Sequence, residues 1–195
     1  MSVSTTTPMT LSTADEMSVR LARASVVLAV PALLVFAYVG TFLTTISGGG
    51  DFRYTADYWY TGVGMPSALA GIGLAFAVHR LQHGADGRLG AVGVWLNAVA
   101  LSVLFVQLGA SVLVGSEVRW GPSYPVCTLV TFVGVALLAA GSWRTGVLPR
   151  WMLGAWPVVW VLGSFAAMGP TPVVLAVFLV LLVVTLTRRV EARRR

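Results

Sequence analysis

Two short polar stretches hold most of the acid and aromatic chemistry of this chain. GGGDFRYTADYWY, residues 48–60, combines Asp51, Arg53 and Asp57 with Phe52, Tyr54, Tyr58, Trp59 and Tyr60. GSEVRWGPSYP, residues 115–125, adds Glu117, Arg119, Trp120 and Tyr124. A partly desolvated carboxylic acid has a raised pKa and can donate a proton. Electron-rich ring faces stabilise nearby cations. Together these groups suit proton-initiated cyclisation or isomerisation of a lipophilic, isoprenoid-like substrate. Glu117 or Asp57 would be the acid, and Trp59, Tyr60, Trp120 and Tyr124 would line the cationic path. The plainer reading is interfacial. Aromatic rings belong at membrane surfaces anyway, and Glu117 with Arg119 would be a surface ion pair of little weight.

Other polar groups are few. Asn97 and Gln107 fall inside one apolar run, ten residues apart, within roughly 80° of each other on a helix. They suit cross-helix hydrogen bonds or the lining of a substrate cavity. His79 and His83 have the spacing of two ligands on one helix face. No cysteine or carboxylate in the same turns completes a set, so neither a metal nor a cofactor is expected. The single cysteine, Cys127, excludes an intramolecular disulfide or dithiol chemistry. No charged residue lies near the middle of any apolar run, which argues against a proton-driven transporter.

The elements that must position these residues are helices in lipid. Of 195 residues, 57% are hydrophobic and 10% charged, far below the roughly 25% charge of a soluble domain. The expected fold is an all-α polytopic membrane protein, a six-helix bundle over residues 20–188. A disordered tail precedes it (1–19) and a basic tail follows (189–195). Six apolar runs span about Leu21–Ser47, Trp59–His79, Leu89–Gly115, Ser123–Trp143, Pro149–Met168 and Pro172–Thr187, the last one short for a core of roughly 30 Å. Span two carries Gly64, Ser67, Ala68 and Gly71 at spacings that permit close helix approach. Pro66 and Pro157 kink their spans.

The net charge of +6 is entirely arginine. With the N-terminus inside, eleven of the thirteen arginines fall on the cytoplasmic side, leaving Arg53 and Arg119 outside. That asymmetry follows the positive-inside rule and places both termini in the cytoplasm, in a multi-pass protein of the plasma (inner) membrane. The arginines sit at span ends, so their expected partner is the lipid bilayer and not nucleic acid.

The stretch GPSYP, followed by an apolar helix and GVLPRW, resembles small bacterial six-span membrane proteins. Gly121, Pro122, Tyr124, Pro125, Gly146, Val147, Leu148, Pro149, Arg150 and Trp151 carry that resemblance over the second half of the chain. It implies a turn between two late helices and no activity. The bundle with acids and aromatics at one end is also similar, at the level of fold, to small integral-membrane terpene cyclases. Those typically have seven spans and two acids in or near their helices, whereas here six spans are expected and the acids lie at the outer edge. Two function classes follow: a membrane cyclase or isomerase, and a non-enzymatic immunity or accessory subunit that binds a partner through its outer loops.

Overall fold

The computed structural model describes residues 13–42, 47, 50–165 and 169–192. Every regular element among them is an α-helix: α1 Thr13–Phe42, α2 Thr55–Gly62, α3 Gly64–Arg80, α4 Gly87–Val114, α5 Ser123–Ser142, α6 Arg150–Ser164 and α7 Thr171–Ala192. Five segments are long and apolar enough to cross a membrane: α1, α2 with α3, α4, α5 and α7. The fifth run expected from the sequence, Pro149–Met168, forms only the 15-residue α6, which spans about 22 Å at 1.5 Å per residue. Residues 166–168 lie outside the described segments.

Element boundaries differ from the expectation where caps and prolines act. α1 begins at Thr13, so the described part of the expected N-terminal tail is helical. Asp15 and Glu16 occupy its first turn, where negative charge complements the helix dipole. The expected second span is divided at Val63 into α2 and α3. Pro66 has no N–H to offer the Gly62 carbonyl one turn earlier, which frees the backbone to turn there. α7 runs to Ala192 and is longer than expected.

The helices form a closed ring. α1 packs on α3, α3 on α4, α4 on α5, α5 on α6, α6 on α7, and α7 back on α1. One half of the ring is filled and the other hollow. In the filled half, α4 and α5 meet backbone to backbone: a Cβ on Gly93 would lie 2.5 Å from the Gly134 carbonyl, and one on Gly141 would lie 2.7 Å from the Asp86 carbonyl. Small residues at both faces allow such an approach. Leu74, Leu138, Leu153, Trp156, Leu182 and Leu186 are buried within the core.

The connection 81–86 closes this end. α3 stops at Arg80 and His83 adopts a φ of 50°, so the two histidines do not share a helix face. His79 Nδ1 lies 2.5 Å from Asp86 Oδ2, and His83 Nε2 lies 2.9 Å from Asp15 Oδ1. Gln82 donates to Ser142 Oγ at 2.6 Å. The histidine pair is thus two separate clasps that hold the turn between α3 and α4.

Candidate functional site: a lipophilic cavity under paired loops

At the other end, α4 finishes at Gly115, whose φ of 71° suits glycine at a left-handed helix cap. The chain leaving it pairs with the segment before α2. Phe52 N donates to Gly115 O at 2.8 Å and Glu117 N to Gly50 O at 2.9 Å, with an antiparallel bridge between Asp51 and Ser116. The two polar stretches of the sequence are therefore zipped together.

Side chains from the helices fasten the zipped loops. Gln107 Nε2 donates to Val118 O at 2.9 Å, and Ser123 Oγ donates to Gln107 Oε1 at 2.7 Å. One turn further on, Ser111 Oγ accepts from Val118 N at 3.0 Å. Asp57 sits at the third position of α2 and is buried. Its carboxylate accepts from Ser47 N (2.7 Å), Ser47 Oγ (2.8 Å), Arg53 N and Tyr54 N (both 2.9 Å). An acid three residues into a helix that reaches back to the capping N–H satisfies a donor the helix leaves open.

Beneath the loops lies a cavity of about 810 Å³. Its rim carries Asp57, Gln107, Ser111, Glu117 and Arg119, and its deeper wall carries Leu33, Phe36, Ala68, Leu101, Leu104 and Trp160. Leu101 stands thirteen residues below the end of α4 at Val114, roughly 20 Å along the helix. The cavity is a deep apolar well with a polar mouth.

Of the eight residues expected to act on or line a substrate, five meet on this wall: Asp57, Tyr60, Gln107, Glu117 and Tyr124. Three do not. Trp59 and Trp120 are exposed and lie outside the lining. Trp59 is two residues, about 200°, from Asp57 on α2, whereas Tyr60, three residues on, shares its face. Asn97 lies below the cavity floor, bonding through Nδ2 to the Gly71 carbonyl of α3 at 3.4 Å. It joins helices and does not line the site. Leu101, Leu104, Gln107, Leu108 and Ser111 form the lining stripe of α4, and Asn97 is one turn too deep to reach it.

Rings frame the well. Phe36 of α1 and Tyr60 of α2 meet at a tilt of 44° with centroids 4.6 Å apart, and Tyr124 meets Phe165 edge-on at 5.8 Å. Tyr124 also donates to the Phe165 carbonyl at 3.3 Å. Phe36, Ser111, Trp160 and Phe165 escaped the sequence reading. Ser111 had a usable signal, since it lies one helical turn from Gln107 and so on the same face. The others are apolar residues in apolar runs and carry no such mark.

Both expected acids are engaged by hydrogen-bond donors. Glu117 Oε2 accepts from Arg119 Nη2 at 2.7 Å. That bond, with the guanidinium charge, holds the Glu117 carboxyl below its ordinary range. It is ionised at neutral pH and accepts hydrogen bonds only. Asp57 is ringed by four donors, three of them on Oδ2, an arrangement made for a carboxylate. In this arrangement both carboxyls act as hydrogen-bond acceptors, and Arg119 clasps Glu117. Among the described residues no cluster of three or more His, Cys, Asp or Glu side chains could hold a metal. No protein-family model, curated protein or solved structure matches the chain.

Proposed function

We propose that this protein binds a lipophilic small molecule in the cavity between its helices, with the ligand's apolar part in the well and its polar end at the mouth. The observation that carries this reading is the cavity itself, about 810 Å³, within the 300–1,000 Å³ typical of small-molecule sites. The mouth carries two carboxylates, Asp57 and Glu117, against one guanidinium, Arg119. One net negative charge favours a neutral or cationic head and disfavours phosphate or sulfate.

The reading also sets the membrane arrangement. α6 fills a place in the ring between α5 and α7, which supports a sixth crossing, its shortness met by local thinning or flanking residues. With six crossings both termini lie on the arginine-rich, cytoplasmic side and the mouth opens outward, in a plasma-membrane protein.

Cyclisation or isomerisation of an isoprenoid is a second reading, favoured by the shared wall of two carboxylates and the rings of Phe36, Tyr60, Tyr124 and Phe165. It requires Glu117 to leave Arg119 and take up a proton, whereas binding requires neither. The test uses purified protein in lipid nanodiscs. 1-Dodecanol should bind wild-type protein beyond its partition into empty nanodiscs, and dodecyl sulfate should not. Ala68→Trp, which projects into the well, should weaken dodecanol binding at least tenfold. Equal retention by wild-type protein, Ala68→Trp and empty nanodiscs would show that the cavity holds nothing.

A further inference from the structure

We infer that the ligand's polar end is a neutral oxygen and that the Tyr60 hydroxyl of α2 donates a hydrogen bond to it, with Thr61 beside it. This inference rests on the ligand-binding reading above and names the chemistry of the head. Seven hydroxyl side chains line the cavity. Five have given their hydrogen away: Ser47 to Asp57 Oδ2, Ser67 to the Val63 carbonyl, Ser111 to that of Gln107, Tyr124 to that of Phe165 and Ser164 to that of Trp160. The other two, Tyr60 and Thr61, have no hydrogen-bond partner among the described residues. Both are half-buried, and their oxygens stay accessible, unlike the unpaired indole Nε1 atoms of Trp156 and Trp160, which are closed off.

Tyr60 lies three residues after Asp57 on α2, one turn further along and on the same face. Its ring is held against Phe36, and a Cβ on Gly40 would lie 3.9 Å from it, so the hydroxyl is presented in a fixed place. A few such placed polar groups orient a ligand in an otherwise apolar pocket. Water can serve the hydroxyl while the site is empty. A ligand that takes the water's place must supply the same bond or lose affinity. An oxygen-headed lipophile supplies it, and an alkane does not. A quaternary ammonium does not either, because it offers these hydroxyls no acceptor. Nor does it find a free carboxylate, since Asp57 is taken by four donors and Glu117 by Arg119. The committed charges and the two uncommitted hydroxyls together select a neutral head.

Tyr58 supplies an internal control. It lies on the same helix and is exposed to water, but it does not line the cavity. The probes share a twelve-carbon chain: 1-dodecanol, dodecane and dodecyltrimethylammonium, each measured against empty nanodiscs. Tyr60→Phe should weaken dodecanol binding about two- to tenfold, the range for loss of one net hydrogen bond. It should leave dodecane binding unchanged, and Tyr58→Phe should alter neither. Wild-type protein should bind dodecanol more tightly than dodecyltrimethylammonium. In wild-type protein with ring-labelled tyrosine, the infrared C–O stretch of one of the five tyrosines should shift with dodecanol and not with dodecane. That readout decides the question even where Tyr60→Phe folds poorly or dodecane binds too weakly to measure. Equal weakening of both probes, or of neither, tighter binding of the ammonium, or no dodecanol-specific tyrosine shift overturns the inference and leaves the cavity reading intact. Failure of dodecanol to bind wild-type protein overturns the cavity reading and this inference together.

Discussion

The two ends of this ring of helices solve the same packing problem in opposite ways. In the filled half, Gly90, Gly93, Gly134 and Gly141 bring α4 and α5 into backbone contact. The polar residues there, His79, Gln82, Asp86 and Ser142, are turned on one another. In the hollow half the same two helices present Leu104, Gln107, Leu108 and Tyr124 to an open well, and the polar groups are turned on loops. Helix spacing is therefore decided residue by residue along one seam. Glycine closes it, and larger side chains hold it apart where a ligand is to fit.

The largest effect should come from spoiling the closed seam. Gly93→Leu places a side chain against the Gly134 carbonyl and the Leu138 backbone, neither of which can yield as a side chain would. Overpacking of a core typically costs 1–3 kcal/mol and more against rigid backbone. The variant should fail to give monodisperse protein, while Gly154→Leu, where nothing lies within 4 Å of the added Cβ, should purify normally. Comparable yield and thermal stability of the two would break the contrast between the halves.

Next is His79→Ala, which strands the Asp86 carboxylate, itself fully buried. Leaving a buried carboxyl without its hydrogen-bond partner costs roughly 3 kcal/mol. The loss should appear in thermal unfolding without a change in dodecanol affinity, since the clasp lies outside the cavity wall. A selective loss of binding would mean that the two ends are coupled.

Asp57→Asn acts at the mouth. It turns one acceptor into a donor among N–H groups, at a cost of roughly 2–3 kcal/mol. Hydrogen exchange should rise over residues 50–60 and 115–122, and binding should weaken. Unchanged exchange in both loops would separate Asp57 from the loop zipper.

The smallest effect belongs to the exposed Glu117–Arg119 pair. Glu117→Gln should cost less than about 1 kcal/mol, the usual range for surface pairs. The pair lowers the Glu117 carboxyl in the folded protein, so its contribution is present above the ordinary glutamate range and is lost as pH falls through the depressed folded value. Protection of the 115–122 loop against exchange should hold at neutral pH and fall as pH drops through the depressed Glu117 value, with no such fall in Glu117→Gln. A tenfold fall in conversion of an isoprenoid substrate by Glu117→Gln membranes would instead restore the acid-catalyst reading.

The helices were legible because apolar length is a strong signal, and so was the meeting of the two polar stretches at one end. What escaped has physical causes. The division at Val63 depends on one missing N–H at Pro66, and α6 starts where expected, after Pro149, but ends at Ser164. The sequence marks the acids of the mouth, but only the fold reveals that Asp57 is ringed by donors and that Glu117 is clasped by Arg119. Trp59 and Tyr60 look alike in sequence, yet one step along α2 turns one outward and the other into the well. Trp160 was illegible because an indole in an apolar run gives no sign of whether its N–H is paired.

The central claim is that a lipophile sits inside the ring and not against its outer surface. A dodecanol analogue carrying a chain diazirine, photolysed with the protein in nanodiscs and mapped by peptide mass spectrometry, tests it directly. The expected result is labelling of cavity-wall residues such as Phe36, Leu104 and Trp160, suppressed by excess unlabelled 1-dodecanol. Labelling confined to outward-facing residues such as Trp95, Val106 and Leu129, with no competition, would contradict it.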